Sequence, residues 1–281
     1  MKYFLLIVLI YSSLLSQRQK GFNDYWYSGK AELSSYKLDQ FRYKDHHEGE
    51  AVLIFVTEDF LKDTQVKCEF GDKENSEVVL KLNRQRRFYT GVYSYTMMTS
   101  LFRPIWGDRS LKLTHSSQDW CGQSFLQLNL DGDRYKSELR SYFQSEGDVD
   151  TTVPSGLLED DLYIMVRLDE SRLPLGKQTL IPSAVATRFM HIPLKPYDVI
   201  ISLKKSVTFK SNTNLNKLSV IYSELPRSVN IYYESNFPNK IVGWEEIING
   251  NKTTAVLKKS IKLDYWSKHN KEDKKYRITE F

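Results

Sequence analysis

The most distinctive chemical cluster in the sequence surrounds a single cysteine. Cys121 stands in the run DWCGQ at 119–123, and His115 precedes it by six residues. A cysteine nucleophile needs a lowered thiol pKa and a base within hydrogen-bond reach. His115 could supply that base only if the residues between the two fold back. We therefore take Cys121 and His115 as catalytic candidates, with a packed turn or strand edge as the alternative.

The chain contains one other cysteine, Cys68. In an oxidising compartment two cysteines can form a disulfide. The bond requires the Cα atoms to approach within about 7 Å, which spacing along a chain does not determine. Two interpretations stay open at this point: a Cys68–Cys121 disulfide, or two separate half-buried thiols.

Tyrosine and tryptophan provide a second set of candidates. The sequence holds 18 Tyr, 14 Phe and 5 Trp, an excess that favours strands and suits amphipathic binding surfaces. Tyr93 and Tyr95 alternate within one predicted strand and therefore share a face. Trp120 could form the wall of a pocket. We predict Tyr93, Tyr95 and Trp120 as ligand-binding residues.

Other metal or cofactor signals are weak. His46-His47-Glu48 is read as part of a hairpin loop at 44–49, and adjacent side chains in a strand point to opposite faces. The acidic run at 146–150 lacks the spaced ligand set of calcium loops. Phosphate-loop, dinucleotide, G-x-S-x-G, H-E-x-x-H and CxxC motifs do not occur. We expect neither a metal site nor a cofactor.

The elements that must position these residues are predicted to be mainly β. Apolar and polar residues alternate repeatedly, as in Leu126, Leu128 and Leu130, and turn signals recur every 10–15 residues or so. The continuous apolar run Ala51–Val56 indicates a central strand buried on both faces. These patterns predict a large curved antiparallel sheet that follows the chain as a meander.

One segment has helical rather than strand periodicity. Leu157, Leu158, Leu162, Met165 and Val166 recur at spacings of three and four, and acidic residues follow the first two. We predict one helix at about 155–168, capped by Ser155, against which the curved sheet packs. Two smaller β-domains divided within 147–177 are the alternative.

The N-terminus predicts export. Residues 1–16 hold a lysine, a short apolar run and then small residues, which is the order of a secretory signal. The β-rich body then covers 22–268. We expect the protein in the periplasm or cell envelope. The apolar run is not followed by a cysteine, so the sequence does not support a lipid-modified N-terminus.

The net charge of +5 resides near the C-terminus. Residues 258–277 contain eight basic and three acidic side chains, so the rest of the body is nearly neutral. Residues 269–281 form a predicted basic tail. A nucleic-acid site would require a basic face interleaved with aromatics, and we expect none. A weak contact with an anionic membrane surface fits the tail better.

Four runs resemble a family of exported bacterial proteins of unknown function that often carry the automatic label "septum formation inhibitor Maf". They are YWYSGKAE at 25–32, HEGEAVLIFVTEDF at 47–60, TGVYSYTMMTS at 90–100 and SSQDWCG at 116–122. The resemblance covers nearly the whole chain after residue 16 and implies export, but it supplies no catalytic residues. In that family the Trp-Cys-Gly run is usually followed by His, where this chain has Gln123.

The Maf label itself does not fit the sequence. Maf proteins are cytoplasmic nucleotide pyrophosphatases with an α/β fold and an early S-x-S-P-R-R motif. The nearest basic cluster here, RQRR at 84–87, has no Ser-Pro before it. The leading hypothesis is therefore a non-enzymatic envelope protein whose curved sheet binds an apolar or lipid-like ligand. A thiol hydrolase or transferase using Cys121, and a structural or adaptor module of an envelope complex, are the alternatives.

Overall fold

The computed structural model describes residues 21–280, so the signal segment predicted at 1–16 lies outside the described residues. Its helices are a turn at 21–26 (α1), Asp161–Leu168 (α2) and Ala184–Met190 (α3). Not one of these three is long and apolar enough to cross a membrane. Almost all other regular structure is β-strand.

Fifteen strands form one sheet, and the predicted curved, mainly antiparallel sheet is confirmed. The strands are β1 Ala31–Arg42, β2 Asp45–Leu61, β3 Ser76–Thr90, β4 Tyr93–Pro104, β5 Lys112–Asp119, β6 Gly122–Asp131, β7 Arg134–Ser141, β8 Val149–Pro154, β9 Leu157–Leu158, β10 Gly176–Ile181, β11 Tyr197–Phe209, β12 Asn212–Tyr222, β13 Arg227–Glu234, β14 Ile241–Ile248 and β15 Asn251–Leu263.

The first and last strands lie side by side in the middle of this sheet. β1 pairs with β15 in a register that places Ala31 opposite Leu263. β2 to β8 follow on one side of the pair, and β14 to β9 follow on the other. All neighbours are antiparallel except β9 and β10, which run parallel. The described chain therefore forms a single fifteen-stranded sheet.

The outermost strands of the sheet are consecutive in the chain. β8 ends at Pro154 and β9 begins at Leu157, and three residues can span only about 10 Å. The two edges must therefore approach each other, so the sheet curls into a barrel-like shape. The segment 147–177, predicted as a boundary, contains this passage from one edge to the other.

The interior of the curled sheet holds α2. All eight residues of this helix are buried. A helix was predicted here and is present, but it starts later than predicted. Leu157 and Leu158 pair with Leu180 and Ile181 as β9, so the helix begins at Asp161 and Ser155 does not cap it. Leu158 lies four residues before Leu162 of the helix, which is a helical spacing. The two leucines therefore fitted the helical pattern although they lie in a strand.

Arginines on the sheet wall hold the acidic start of α2. Glu159 pairs with Arg227 at 2.6 Å, and Asp161 pairs with Arg103 at 3.0 Å. Asp160 pairs with Arg84 in the same way. The arginines come from β13, β4 and β3, and all these side chains are nearly fully buried. The helix dipole accounts for acids at this point of the sequence, but it gives no sign of these arginine partners.

A further carboxylate belongs to the same interior network. Arg86 donates two hydrogen bonds to Glu246, at 2.7 and 3.1 Å, and Arg84 donates a third at 3.3 Å. Burial alone would raise the pKa of Glu246, but the adjacent arginines lower it to about 2. The interior is thus filled by a helix, apolar side chains and charged pairs.

The C-terminal segment folds back on the sheet. Residues Lys271–Tyr276 form a 3₁₀ helix, and the backbone N–H of Glu280 donates to Glu50 at 3.2 Å. The Glu280 carboxylate pairs with Lys258 at 2.9 Å. Ile278 packs against an apolar cluster that includes Leu33. The residues predicted as a basic tail are therefore tied to β2 and β15 at their far end.

Candidate functional site

Hairpin turns gather the predicted ligand-binding residues at one end of the sheet. Successive antiparallel strands return to the same end at every second turn. The turns at 43–44, 91–92 and 120–121 therefore meet at one rim. The loop predicted at 44–49 was wrong, since β2 already starts at Asp45. The backbone at Tyr43 supplies the tight turn with a φ of 59°.

The side chains at this rim contact one another. The hydroxyl of Tyr43 hydrogen-bonds with those of Tyr93, at 2.6 Å, and Tyr95, at 2.8 Å. The ring centroids of Tyr93 and Trp120 lie 6.5 Å apart. The structure thus brings the three predicted residues together. Tyr43 joins them and was missed because it lies in a turn outside the alternating pattern.

Two phenylalanines extend the cluster inward. Phe88 stacks on Tyr95 with a centroid distance of 4.9 Å, and Phe189 of α3 meets Tyr95 edge-on at 6.2 Å. The guanidinium of Arg42 lies 4.5 Å from the Phe189 centroid. We call this set the aromatic rim: Tyr43, Phe88, Tyr93, Tyr95, Trp120 and Phe189.

The short helix α3 lies beside the aromatic rim and was not predicted. Ser183 caps it by accepting a hydrogen bond from the N–H of Ala186 at 3.2 Å. Asp160 accepts a second bond, from the N–H of Ala184, also at 3.2 Å. The ion-pair network of the interior therefore fixes the start of α3.

Cavities lie on both sides of α3. Phe189 lines one of about 230 Å³, together with Tyr43, Arg42 and Glu246. Arg188, the preceding residue, lines one of about 290 Å³, which we call the Arg188 cavity. Its apolar lining comes from β6, β7, β8, the first residue of α3 and the residues after that helix: Phe125, Leu126, Leu139, Val149, Ala184, Ile192, Pro193 and Leu194.

The polar lining of the Arg188 cavity includes Arg188 itself and a histidine–glutamate pair. Arg188 is 7% exposed and donates through Nη2 to Asp119 at 3.4 Å. Its Nε and Nη1 have no hydrogen-bond partner within residues 21–280. The guanidinium lies 4.2 Å from the centroid of Phe143. At the same cavity, His191 Nδ1 and Glu146 Oε1 are 2.5 Å apart.

His115 also lines this cavity, as a neutral side chain. Its Nδ1 lies 2.9 Å from the Thr99 hydroxyl. Burial, with a further contribution from the nearby charges of Arg86 and Arg188, lowers the pKa of His115 to about 3. The imidazole is therefore uncharged at neutral pH.

The structure does not bring the two catalytic candidates together. His115 is buried inside the sheet, whereas Cys121 is exposed in the β5–β6 turn. The backbone N–H of Cys121 donates to Asp119 at 2.7 Å, so the turn is shaped by a carboxylate and not by the histidine. Cys68 and Cys121 are both free thiols, and the disulfide considered from the sequence is not formed.

The two adjacent histidines of β2 each contact a different nearby group and do not converge on one site. His46 Nδ1 lies 3.0 Å from Asp39 Oδ1, and His47 Nε2 lies 3.3 Å from the Arg42 carbonyl. Over the described range, no group of three or more His, Cys, Asp or Glu side chains is placed to hold a metal ion.

The fold has a counterpart among solved structures. No family model matches the sequence, and no curated protein does so either. A crystal structure of a β-barrel-like protein of a domain of unknown function, DUF1849, from Brucella abortus aligns with a TM-score of 0.52 at 10% identity. The alignment covers 84% of this chain and 98% of that one. The likeness shows that this chain shares a β-barrel-like fold.

Proposed function

We propose that this protein is a non-enzymatic binding protein of the cell envelope, which holds one small apolar or amphipathic molecule in the Arg188 cavity. The observation that carries the proposal is the cavity itself: about 290 Å³, with predominantly apolar walls. Ligand sites are typically concave, mostly apolar and equipped with a few polar groups. The adjoining aromatic rim offers amphipathic side chains at the same end of the sheet.

The interior of the curled sheet is filled by α2 and its ion pairs, so it has no room for a lipid. We therefore place the ligand in the Arg188 cavity instead. The Arg188 cavity is roughly twice the 150 Å³ that holds one benzene molecule in an engineered cavity. A ligand of about a dozen non-hydrogen atoms therefore suits it, which favours a small amphipathic molecule over a whole membrane lipid.

Two observations favour binding over thiol catalysis. Cys121 lies in an exposed turn, and His115 is buried with Nδ1 engaged by Thr99. A thiol nucleophile would need its base within about 3 Å. The cavity residues also include no Cys and are arranged around an arginine instead.

The envelope location in the proposal is supported by the order of residues 1–16 and by the resemblance to exported proteins. We also propose that the Maf label is a misattribution, because the S-x-S-P-R-R motif is missing from the chain. Fractionation of cells that produce the full chain tests the location. Recovery of the protein only from the cytoplasm would contradict it.

Binding is tested with the neutral fluorescent probe 1-aminonaphthalene, which is close to the expected ligand size. We expect saturable binding to the protein from residue 17 onward. Thr151→Phe narrows the cavity from β8 and should weaken binding at least fivefold. Thr152→Phe, on the opposite face of the same strand and outside the cavity, is the matched control.

The phenyl ring of Thr151→Phe could point away from the cavity and leave it unchanged, so a second cavity variant is needed. Ser137 lines the cavity and is 4% exposed, so Ser137→Leu places its added atoms inside. Both cavity variants should weaken probe binding while Thr152→Phe does not. Equal affinity in all four proteins, or no saturable binding by the unmodified protein, would refute the proposed function.

A further inference from the structure

We propose that the Arg188 cavity selects a ligand with a single carboxylate, and that Arg188 is the residue that recognises it. This inference rests on the proposed function and names the class of ligand. Its starting point is the unusual state of one side chain. Arg188 is buried, yet two of its three guanidinium nitrogens, Nε and Nη1, have no hydrogen-bond partner among residues 21–280.

A buried, incompletely bonded guanidinium is energetically unfavourable. Each buried donor without an acceptor loses its hydration and gains nothing in return, and the effect is larger for a charged group. The other buried arginines of the interior meet carboxylates closely, as in the 2.6 Å bonds of Arg167 and Arg227. The contact of Arg188 with Asp119 is longer, at 3.4 Å. An acceptor supplied by a ligand would complete its shell.

The unbonded Nε and Nη1 of Arg188 lie on different edges of its planar guanidinium, so one carboxylate oxygen can accept from either of them. Such charge-assisted hydrogen bonds are about twice as strong as those between neutral groups. Arg188 lines the same cavity as Leu126, Leu139 and Val149. The combination fits a molecule with an anionic end and an apolar body.

Local charge favours one negative charge over two. Arg188 is already opposed by Asp119, and the cavity also contains Glu146, which is paired with His191. His115 is neutral and adds no positive charge. A dianionic phosphate would therefore meet too little positive charge here, whereas a monoanionic carboxylate would meet one guanidinium whose Nε and Nη1 are still able to donate.

Three ligands with the same alkyl chain test the inference: decanoate, decanol and decyl phosphate. Each is titrated against the protein from residue 17 onward by displacement of 1-aminonaphthalene, at fixed pH and ionic strength. We expect decanoate to bind at least tenfold more tightly than decanol and decyl phosphate. Arg188→Gln should abolish this preference, so that decanoate and decanol bind alike. Arg134→Gln, an exposed arginine on β7 outside the cavity, should leave the preference intact.

A second variant keeps the test sharp if Arg188→Gln does not fold. Asp119→Asn removes the charge that opposes Arg188 while its amide oxygen can still accept from the Cys121 N–H. Decanoate affinity should rise by about threefold or more, whereas decanol affinity should not change. A fall in decanoate affinity would overturn the inference.

The outcomes separate this inference from the proposed function. If decanol and 1-aminonaphthalene bind but decanoate shows no advantage, the carboxylate inference fails and the binding function stands. A preference for decyl phosphate would equally overturn the choice of carboxylate. If none of the probes binds, the proposed function fails, and the inference fails with it.

Discussion

Arg167 and Glu32 form a two-pronged ion pair inside the sheet. Nη1 and Nη2 each donate to one carboxylate oxygen at 2.6 Å, and neither side chain is more than 1% exposed. The pair joins the last turn of α2 to the start of β1. Since β1 lies between β2 and β15, this contact fixes the interior helix to the strand that connects both halves of the sheet.

Glu32→Gln should lower the free energy of unfolding by about 3–5 kcal/mol, because it leaves the charge of Arg167 buried without its partner. Urea denaturation followed by circular dichroism measures the change. Asp131→Asn breaks the Lys136–Asp131 pair, whose side chains are 67% and 61% exposed, and should cost less than about 1 kcal/mol. Similar losses in both variants would contradict this account of the interior.

Acidification from pH 6.5 to pH 5 should destabilise the protein through His115. The folded-state pKa of about 3 lies below the ordinary value of 6.5, so in this range the unfolded chain binds a proton that the folded chain does not. The stability is thus present above pH 6.5 and is lost as the pH falls, at up to about 1.4 kcal/mol per pH unit.

His115→Gln should flatten this slope, whatever its effect on stability at pH 7. Unfolding free energies measured at pH 6.5, 6.0, 5.5 and 5.0 give the comparison. His46→Gln, in an exposed position on β2, serves as the control for replacing a histidine outside the interior. An unchanged slope in His115→Gln would show that the histidine is not held neutral by burial.

Gly49→Ala should destabilise the sheet by about 1–3 kcal/mol. A Cβ at this position would lie 2.3 Å from the carbonyl oxygen of Arg87 and 2.7 Å from the Cβ of Phe88. Gly156→Ala, where a Cβ meets nothing within 4 Å, should change the stability by less than about 0.5 kcal/mol. Thermal denaturation of the two variants side by side decides the point, and equal midpoints would argue against the close approach of β2 and β3.

Alkylation of Cys121 by iodoacetamide should not depend on His115. The thiol is exposed and the imidazole is buried against Thr99, so the histidine cannot act as its base. Peptide mass spectrometry should find equal labelling rates in the unmodified protein and in His115→Gln, and both cysteines should label without prior reduction. A tenfold slower reaction of Cys121 in the variant would support the alternative hypothesis of a thiol hydrolase or transferase.

The sheet could be predicted because its evidence is local. Alternation at period two and the apolar run Ala51–Val56 depend only on neighbouring residues, and β2 does lie between β1 and β3. The pairing of β1 with β15 has no such local signal. Leu157 and Leu158 were assigned to the helix because their parallel partners in β10 lie more than 20 residues away.

The candidate site was only partly predictable for the same reason. Tyr93, Tyr95 and Trp120 were grouped from their aromatic character and from alternation along one strand, and they meet at the rim, but the Arg188 cavity is lined by other residues. Arg188 was missed, because one arginine in a seven-residue helix has no pattern of its own. Its importance depends on what surrounds it: a buried position, one distant acid and an apolar cavity.

The adjacency of β1 and β15 also governs the order in which the protein can fold. Hairpins such as β1–β2 can pair as soon as they are made, but Ala31 meets Leu263 only about 230 residues later in the chain. Contacts this distant in sequence slow folding. A growing chain consequently keeps one side of its first strand unpaired until its last strand has been synthesised, so the sheet is completed by the end of the chain rather than by its beginning.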